Sequence, residues 1–348
     1  MMEQMAIEQS MLTAIQTDYS DLMSLSPTAE IQSAFIKHYQ KFNGKTSTPP
    51  QFQNVVVSIS GGADSDRMLD MIERIGHPDG NVHYCYFNTG MEYQATKDHL
   101  SYLREKYGVE IKEYRAKCPV PLAVRRYGYP FLSKKISNYI HRLQIHNFQW
   151  EDEPFEVLYE RYPHCKAALR WWCNLWGEKS LVNISARKWL KEFMIENPPT
   201  FQISDQCCQK SKKDTSHEIL KEHNPDLSVT GVRKAEGGVR RFAYQNCFDH
   251  IEFGCSNLRP LFWFKKSDCD AYDQTFGVEH SKCYSLYGLD RTGCACCPFG
   301  RYFEKELEVA RIYEPKLYKA ALNVFGPSIE YTRAYYEYRD RRNEECNT

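Results

Sequence analysis

Six residues after a short β-branched stretch constrain this chain more than anything else in it. Asn54 to Ile59 reads as the kind of apolar strand that is buried in a parallel sheet, and Ser60-Gly61-Gly62-Ala63-Asp64-Ser65 follows it directly. A helical pattern then starts at once, through Met68, Leu69, Met71 and Ile72. A strand that feeds a helix through paired glycines must turn sharply. The turn brings successive backbone N–H groups together at the start of the helix, where they form a nest for an anion. Ser60 and Ser65 add hydroxyl donors, and Asp64 can cap the helix or orient the loop. The alternative is a purely structural Gly-Gly turn capped by serine and aspartate.

The pattern repeats downstream. Val82 to Phe87 and Val109 to Tyr114 read as strands, Gln94 to Tyr107 reads as a helix between them, and a further strand runs from Leu227 to Thr230. Strands alternating with helices predict an α/β fold, a doubly wound parallel sheet. Residues 1–50 read as an N-terminal helical segment, and residues 301–348 as a helical tail. Residues 117–199 break the alternation. They hold five of the six tryptophans, and between 117 and 195 there are 13 Lys and Arg against 7 Asp and Glu. We read this stretch as a helical insertion. Arg125, Arg126, Lys134, Lys135, Arg142, Arg187 and Lys188 alternate there with Tyr127, Tyr129, Phe131, Tyr139, Trp150, Trp171 and Trp172. Basic residues interleaved with aromatics suit a nucleic-acid strand. A helical subdomain with an aromatic core and a solvated basic face has the same pattern.

Formal net charge is zero, so no global basic field announces a nucleic-acid partner. Nothing resembles a secretory leader or a membrane span, which points to the cytoplasm. In that reducing compartment 14 cysteines do not read as a disulfide framework. Two groups stand out: Cys207-Cys208, and Cys294-Ala295-Cys296-Cys297, which contains a C-x-x-C held between Gly293 and Pro298. Four thiolates suit an iron–sulfur cubane, because adjacent cysteines reach different irons more easily than they share one small ion. A structural zinc on Cys294, Cys297, Cys247 and Cys255 is the alternative.

Ser-Gly-Gly-x-Asp-Ser resembles the signature of the PP-loop ATP pyrophosphatase superfamily, and in particular its PAPS/APS reductase (sulfonucleotide reductase) family. Its GK[ST]-less loop distinguishes it from a Walker A. The resemblance extends to Asn88-Thr89-Gly90-Met91-Glu92 with Thr96, and to Thr230-Gly231-Val232-Arg233-Lys234-Ala235-Glu236 with Arg240. The departure is Gly237, where the family usually has serine. Cys-Cys followed after 85 residues by C-x-x-C is similar to the [4Fe–4S] signature of the adenylylsulfate reductases.

The resemblance implies an adenine nucleotide alpha hydrolase-like fold made of residues 51–116 and 200–300. It implies nucleotide contacts from Ser58, Ser60, Gly61, Gly62, Asp64, Ser65, Thr89, Gly90, Glu92, Gly231, Arg233, Arg240 and Lys212, and a cluster on Cys207, Cys208, Cys294 and Cys297. Arg233 and Lys234 become catalytic cations. Cys346, in Glu345-Cys346, matches the family's tail nucleophile, although the Gly-Leu-His that follows it in the family is absent. The expected substrate is APS, PAPS or ATP. The expected reaction takes the activated sulfate to sulfite with release of AMP or PAP, with a thioredoxin-like reductant and no membrane. Two other functions fit the same residues. One is an ATP-dependent sulfurtransferase that modifies nucleic acid through the 117–199 insertion. The other is a nucleotide- and redox-sensing regulator without enzymatic activity.

Overall fold

The computed structural model describes residues 19–42, 52–77, 82–177, 180–236, 244–251 and 254–346. The chain divides into two compact units. The first comprises residues 1–88, 92–115 and 215–293, and the second residues 89–91, 116–214 and 294–348.

The first unit is built on a six-stranded sheet. Its strands are β1 (Val55–Ile59), β2 (Val82–Asn88), β3 (Ile111–Arg115), β4 (Leu227–Thr230), β5 (Phe248–Asp249) and β6 (Ser256–Leu258). Their order is β3-β2-β1-β4-β6-β5, all parallel except the β5–β6 pair. The doubly wound α/β fold read from the alternation is the observed one. β1 is central because it is apolar on both faces. Val55, Val56, Val57 and Ile59 are all buried, and full burial of such a side chain is worth about 1.5–3 kcal/mol. Val55 stands in register with Val82 on one side and Leu227 on the other. The chain leaves β1 towards β2 and later returns on the other flank as β4, so the strand order reverses between β1 and β4. In open α/β sheets ligands bind outside the carboxyl ends of the strands at such a switch point. Helices Ala29–Phe42, Ala63–Ile75, Gln94–Tyr107 and Lys266–Phe276 belong to this unit. Phe35 packs there among Tyr272 and Phe276. Of the N-terminal segment read as helical, Tyr19–Leu25 and Ala29–Phe42 are helices, and the rest lies outside the described residues. The two-residue strand β5 and the three-residue strand β6 were not expected, being too short to show a period.

The second unit is helical, and it regroups the chain. Sequence reading set residues 117–199 apart as an insertion and left both cysteine groups with the α/β domain. The compact unit instead joins residues 116–214 to the C-terminal residues 294–348. The reason lies in the tail. Helix Pro315–Glu345 lays Tyr331, Tyr335 and Tyr338 against Phe193, with ring centroids 5.0, 5.5 and 5.6 Å apart, and Tyr335 and Tyr338 are buried. Ser328 Oγ donates to the carbonyl of Pro130. The insertion's apolar faces need the tail to cover them. Trp171 and Trp172 are likewise core residues, 1% and 0% exposed, with Tyr139 stacked on Trp171 at 5.4 Å. The basic and aromatic alternation is therefore, at these positions, a core beneath a solvated face. Among the described residues, no helix is long and apolar enough to cross a membrane.

Candidate functional site

The loop after β1 turns as its glycines require. Gly61 has φ +66°, and a Cβ there would stand 2.8 Å from Thr96 Cγ2. Helix Ala63–Ile75 starts from Gly62, with Ser65 at its third position. Ser60 N–H and Gly62 N–H both donate to Ser65 Oγ at 3.2 Å, so the backbone donors of the loop converge on one hydroxyl. Ala63 N–H donates to the hydroxyl of Tyr284 at 3.0 Å. These are the N–H groups that the sequence assigned to an anion.

The segment after β4 closes on the same loop. A Cβ on Gly231 would lie 2.9 Å from the carbonyl oxygen of Asp64, so only glycine lets the end of β4 approach the loop this closely. Arg233 follows, with Nε 2.8 Å from Asp64 Oδ1. The N–H is not aligned on the oxygen, so the contact is an ion pair rather than a hydrogen bond. Lys234 turns elsewhere. Its ammonium sits 4.8 Å from the centroid of Trp263, and its N–H donates to the carbonyl of Phe262. Arg240 and Gly237 lie outside the described residues. Ser58, on β1, is half-buried between Cys85 of β2 and Thr230 of β4 in register.

Sequence reading missed a buried ionic network behind the loop. Arg67 Nη1 donates to Asp64 Oδ1 at 2.8 Å, while Arg67 Nε donates to Asp273 Oδ1, also at 2.8 Å. His280 bridges Asp66 Oδ2 at 2.9 Å and Asp273 Oδ2 at 3.1 Å, and His99 Nε2 meets the same Asp66 oxygen at 3.0 Å. Burial works against a charged His280, but its hydrogen bonds to Asp273 and Asp66 outweigh it and hold the imidazole at about 9. The signal was present in the helix itself: Asp66, Arg67, Asp70 and Arg74 interrupt an otherwise apolar pattern. A buried charge survives only when paired.

All four cysteines of the expected cluster fall in the second unit. Cys207 is buried on the turn Gln206–Cys208, which runs into a π-helical stretch, Gln209–Lys213. The Cys207 and Cys208 thiols interact side by side, and their titrations belong to the pair. The hydrogen bond from Cys207, aided by Lys134 and Lys212 against the cost of burial, draws Cys208 down to about 6, and the same bond with burial pushes Cys207 up. Cys294 and Cys297 both act electrostatically on Cys207. Burial, then Cys294, raises Cys297. Lys212, which the resemblance offered as a nucleotide contact, stands beside the Cys208 thiol.

Thr89 and Gly90 also belong to the second unit, whereas Glu92 belongs to the first. Thr89 Oγ1 is 3.6 Å from Cys294 Sγ, and Ala295 N–H donates to the carbonyl of Met91 at 2.7 Å. The threonine–glycine segment thus lines the cysteine group. Cys296, the spare thiol, is buried with φ +55°, its N–H donating to Glu306 Oε2 at 3.0 Å. Among the described residues, no three His, Cys, Asp or Glu side chains are arranged to hold a single metal ion. Cys247 and Cys255, the other half of the zinc alternative, belong to the first unit, apart from the unit of Cys294 and Cys297. The donor set fits a cluster in its chemistry: four thiols, two of them on a tight C-x-x-C turn, with two lysines at hand to offset thiolate charge.

Cys346 ends helix Pro315–Glu345. Its N–H donates to the carbonyls of Arg342 and Glu344, and its side chain is exposed.

Residues 54–145 match the family model described as the phosphoadenosine phosphosulfate reductase domain. That segment, which holds the loop at Ser60–Ser65, is similar to a PAPS reductase domain over 92 of the 348 residues. None of the curated proteins matches the sequence. Three solved structures are distant likenesses of this chain. The phosphoadenylyl-sulfate (PAPS) reductase of Candida auris, in a phosphate complex, is 16% identical with TM-score 0.37, over 71% of this chain and 82% of that one. The U34-tRNA thiolase of Methanococcus maripaludis, with its [4Fe–4S] cluster, is 15% identical with TM-score 0.37, over 89% and 79%. The NH3-dependent NAD synthetase of Campylobacter jejuni is 13% identical with TM-score 0.35, over 90% and 96%. Likenesses this distant bear on neither substrate nor cofactor.

Proposed function

We propose that this chain is a PAPS-reductase-like enzyme of sulfur chemistry. Its first unit binds the phosphates of an adenine nucleotide at Ser60–Ser65. The observation that carries this reading is the meeting of two separate segments at the switch point: Gly231 packs on the carbonyl of Asp64, and Arg233 pairs with that residue's side chain. Backbone N–H groups of the loop take phosphate oxygens, and Arg233 supplies a guanidinium suited to phosphate or sulfate. Asp64 is held by Arg67 and in turn orients Arg233. Lys234, turned over Trp263, is left out of this assignment.

Cys207, Cys208, Cys294 and Cys297 are the residues that would hold a [4Fe–4S] cluster in the second unit, with Lys134 and Lys212 beside them. Such a cluster would supply redox capacity when bound. The reaction proposed is reduction of an adenylylated sulfate to sulfite with release of AMP or PAP, electrons coming from a dithiol protein of the thioredoxin class.

Anaerobically purified protein incubated with APS, PAPS or ATP separates the readings. Sulfite with AMP or PAP from a sulfonucleotide supports the reductase. Pyrophosphate from ATP that depends on an added nucleic acid assigns the chain to the sulfurtransferases instead. Neither product, with nucleotide binding retained, leaves the regulator reading. Iron is measured in the same preparations. Cys207→Ser and Cys297→Ser are expected to lose it, and unchanged iron in both would sink the cluster assignment.

A further inference from the structure

The second unit holds a cavity that the proposed reaction does not use. Its volume is about 570 Å3, within the range of pockets that enclose small organic ligands. Cys346 and Asn343, at the end of helix Pro315–Glu345, line it together with Asn174 and side chains from the stretch between Ile184 and Glu192, among them Arg187, Lys188, Trp189 and Glu192.

Its polar groups are sorted by type. The acceptor ends of the two amides are consumed internally. Asn174 Oδ1 accepts from Ser185 N–H at 3.1 Å, and Asn343 Oδ1 accepts from the indole N–H of Trp189 at 3.1 Å. That leaves both amide NH2 groups as donors, together with the guanidinium of Arg187 and the ammonium of Lys188. Among the described residues, neither cation has a carboxylate within ion-pair distance, although both are exposed. Lys191, by contrast, is already paired with Asp152. Trp189 follows the two cations in a left-handed conformation, φ +63°, with the Arg342 guanidinium 5.0 Å from its ring. Glu192 is the one carboxylate on the wall.

A donor-rich wall recognises an oxyanion, and the single carboxylate offers an acceptor for a hydroxyl or amine on the same ligand. An indole at the rim suits a planar ring. We propose that this cavity binds the phosphate of a nucleotide, free or within a single strand. Arg187, Lys188 and the two amides take the phosphate, and Glu192 takes a sugar hydroxyl or exocyclic amine. This is a second nucleotide site, independent of the loop at Ser60.

Cys346 is a built-in reporter. Among the described residues it is the one cysteine that is exposed rather than buried or half-buried, and it lines the cavity. The experiment measures its rate of alkylation by iodoacetamide in the full-length protein, read by peptide mass spectrometry. The probes are a mixed-sequence single-stranded oligonucleotide, a mononucleotide and inorganic phosphate. The oligonucleotide or the mononucleotide is expected to slow alkylation at least about fivefold, with the effect weakening as salt rises. Protection by the strand alone assigns the site to a polymer, and equal protection by the mononucleotide assigns it to a free ligand. Arg187→Ala with Lys188→Ala, both at exposed positions, is expected to abolish the protection, and Glu192→Gln to weaken it for nucleotides. Arg233→Ala, aimed at the loop, is expected to leave it intact, so failure of the loop assignment does not carry over. Absence of protection by every probe overturns the proposal. So does protection that survives the double substitution, or protection by inorganic phosphate as strong as by either nucleotide.

Discussion

Arg233 Nε and Asp64 Oδ1 stand 2.8 Å apart, although 169 residues separate them in the chain. Their pairing brings the segment after β4 to the loop after β1. Arg67 grips the same Asp64 oxygen from behind, so one carboxylate oxygen serves two guanidiniums.

Replacing Asp64 with asparagine keeps the size and removes the charge that holds both arginines. Adenine-nucleotide affinity, measured by calorimetry, is expected to fall by about tenfold or more, since a loss of about 1.4 kcal/mol in positioning already accounts for a factor of ten. Unchanged affinity would show that Arg233 does not need Asp64 to meet the ligand.

Gly231→Ala tests the close approach. The new methyl would meet the Asp64 carbonyl at 2.9 Å, and overpacking of this kind costs about 1–3 kcal/mol. The same change at Gly61 meets the Thr96 methyl and a left-handed backbone together. Gly61→Ala is expected to be destabilised in urea melts, and Thr96→Ser, which removes that methyl, to restore part of the loss. The remainder is the cost of the positive φ.

Asp70 is fully buried and accepts from Arg74 Nε at 2.7 Å and from the hydroxyls of Tyr107 and Tyr272 at 2.8 Å. Asp70→Ala leaves a guanidinium without its partner. Breaking a buried pair from one side costs about 3–5 kcal/mol, so a large fall in the melting temperature is expected. A loss under about 1 kcal/mol would mean that water reaches Arg74.

His280 gives the stability a pH dependence of known sign. Its folded value of about 9 lies above its ordinary 6.5. The folded state therefore holds the proton more tightly, and the contribution is complete below about 6.5. It is lost as pH rises from there through about 9. His280→Gln should flatten the urea midpoint across that window while leaving the slope at acid pH in place. A wild-type midpoint that does not decline across the window would contradict the arrangement.

Cys296 is expected to be dispensable for iron. Its backbone, not its thiol, meets the Glu306 carboxylate, and its sulfur points to the Glu306 carbonyl at 3.5 Å. Cys296→Ser should keep the iron content that Cys294→Ser loses, as read by absorbance and metal analysis of anaerobic protein.

The sequence by itself determined the sheet and the loop. β1 to β4 lie within two residues of where apolar runs placed them, because strand burial and the glycine turn are local signals. It also named the cysteines and Arg233, which carry a resemblance in their spacing. The tertiary structure decided what distance along the chain conceals. Thr89 went to the cysteine group, and Lys234 went over Trp263. The insertion's tryptophans went into a core that needs the tail's tyrosines to close it. The network of Asp66, Arg67, Asp273 and His280 is the clearest case. A buried charge is stable only beside its counter-charge, and these partners lie some 200 residues apart.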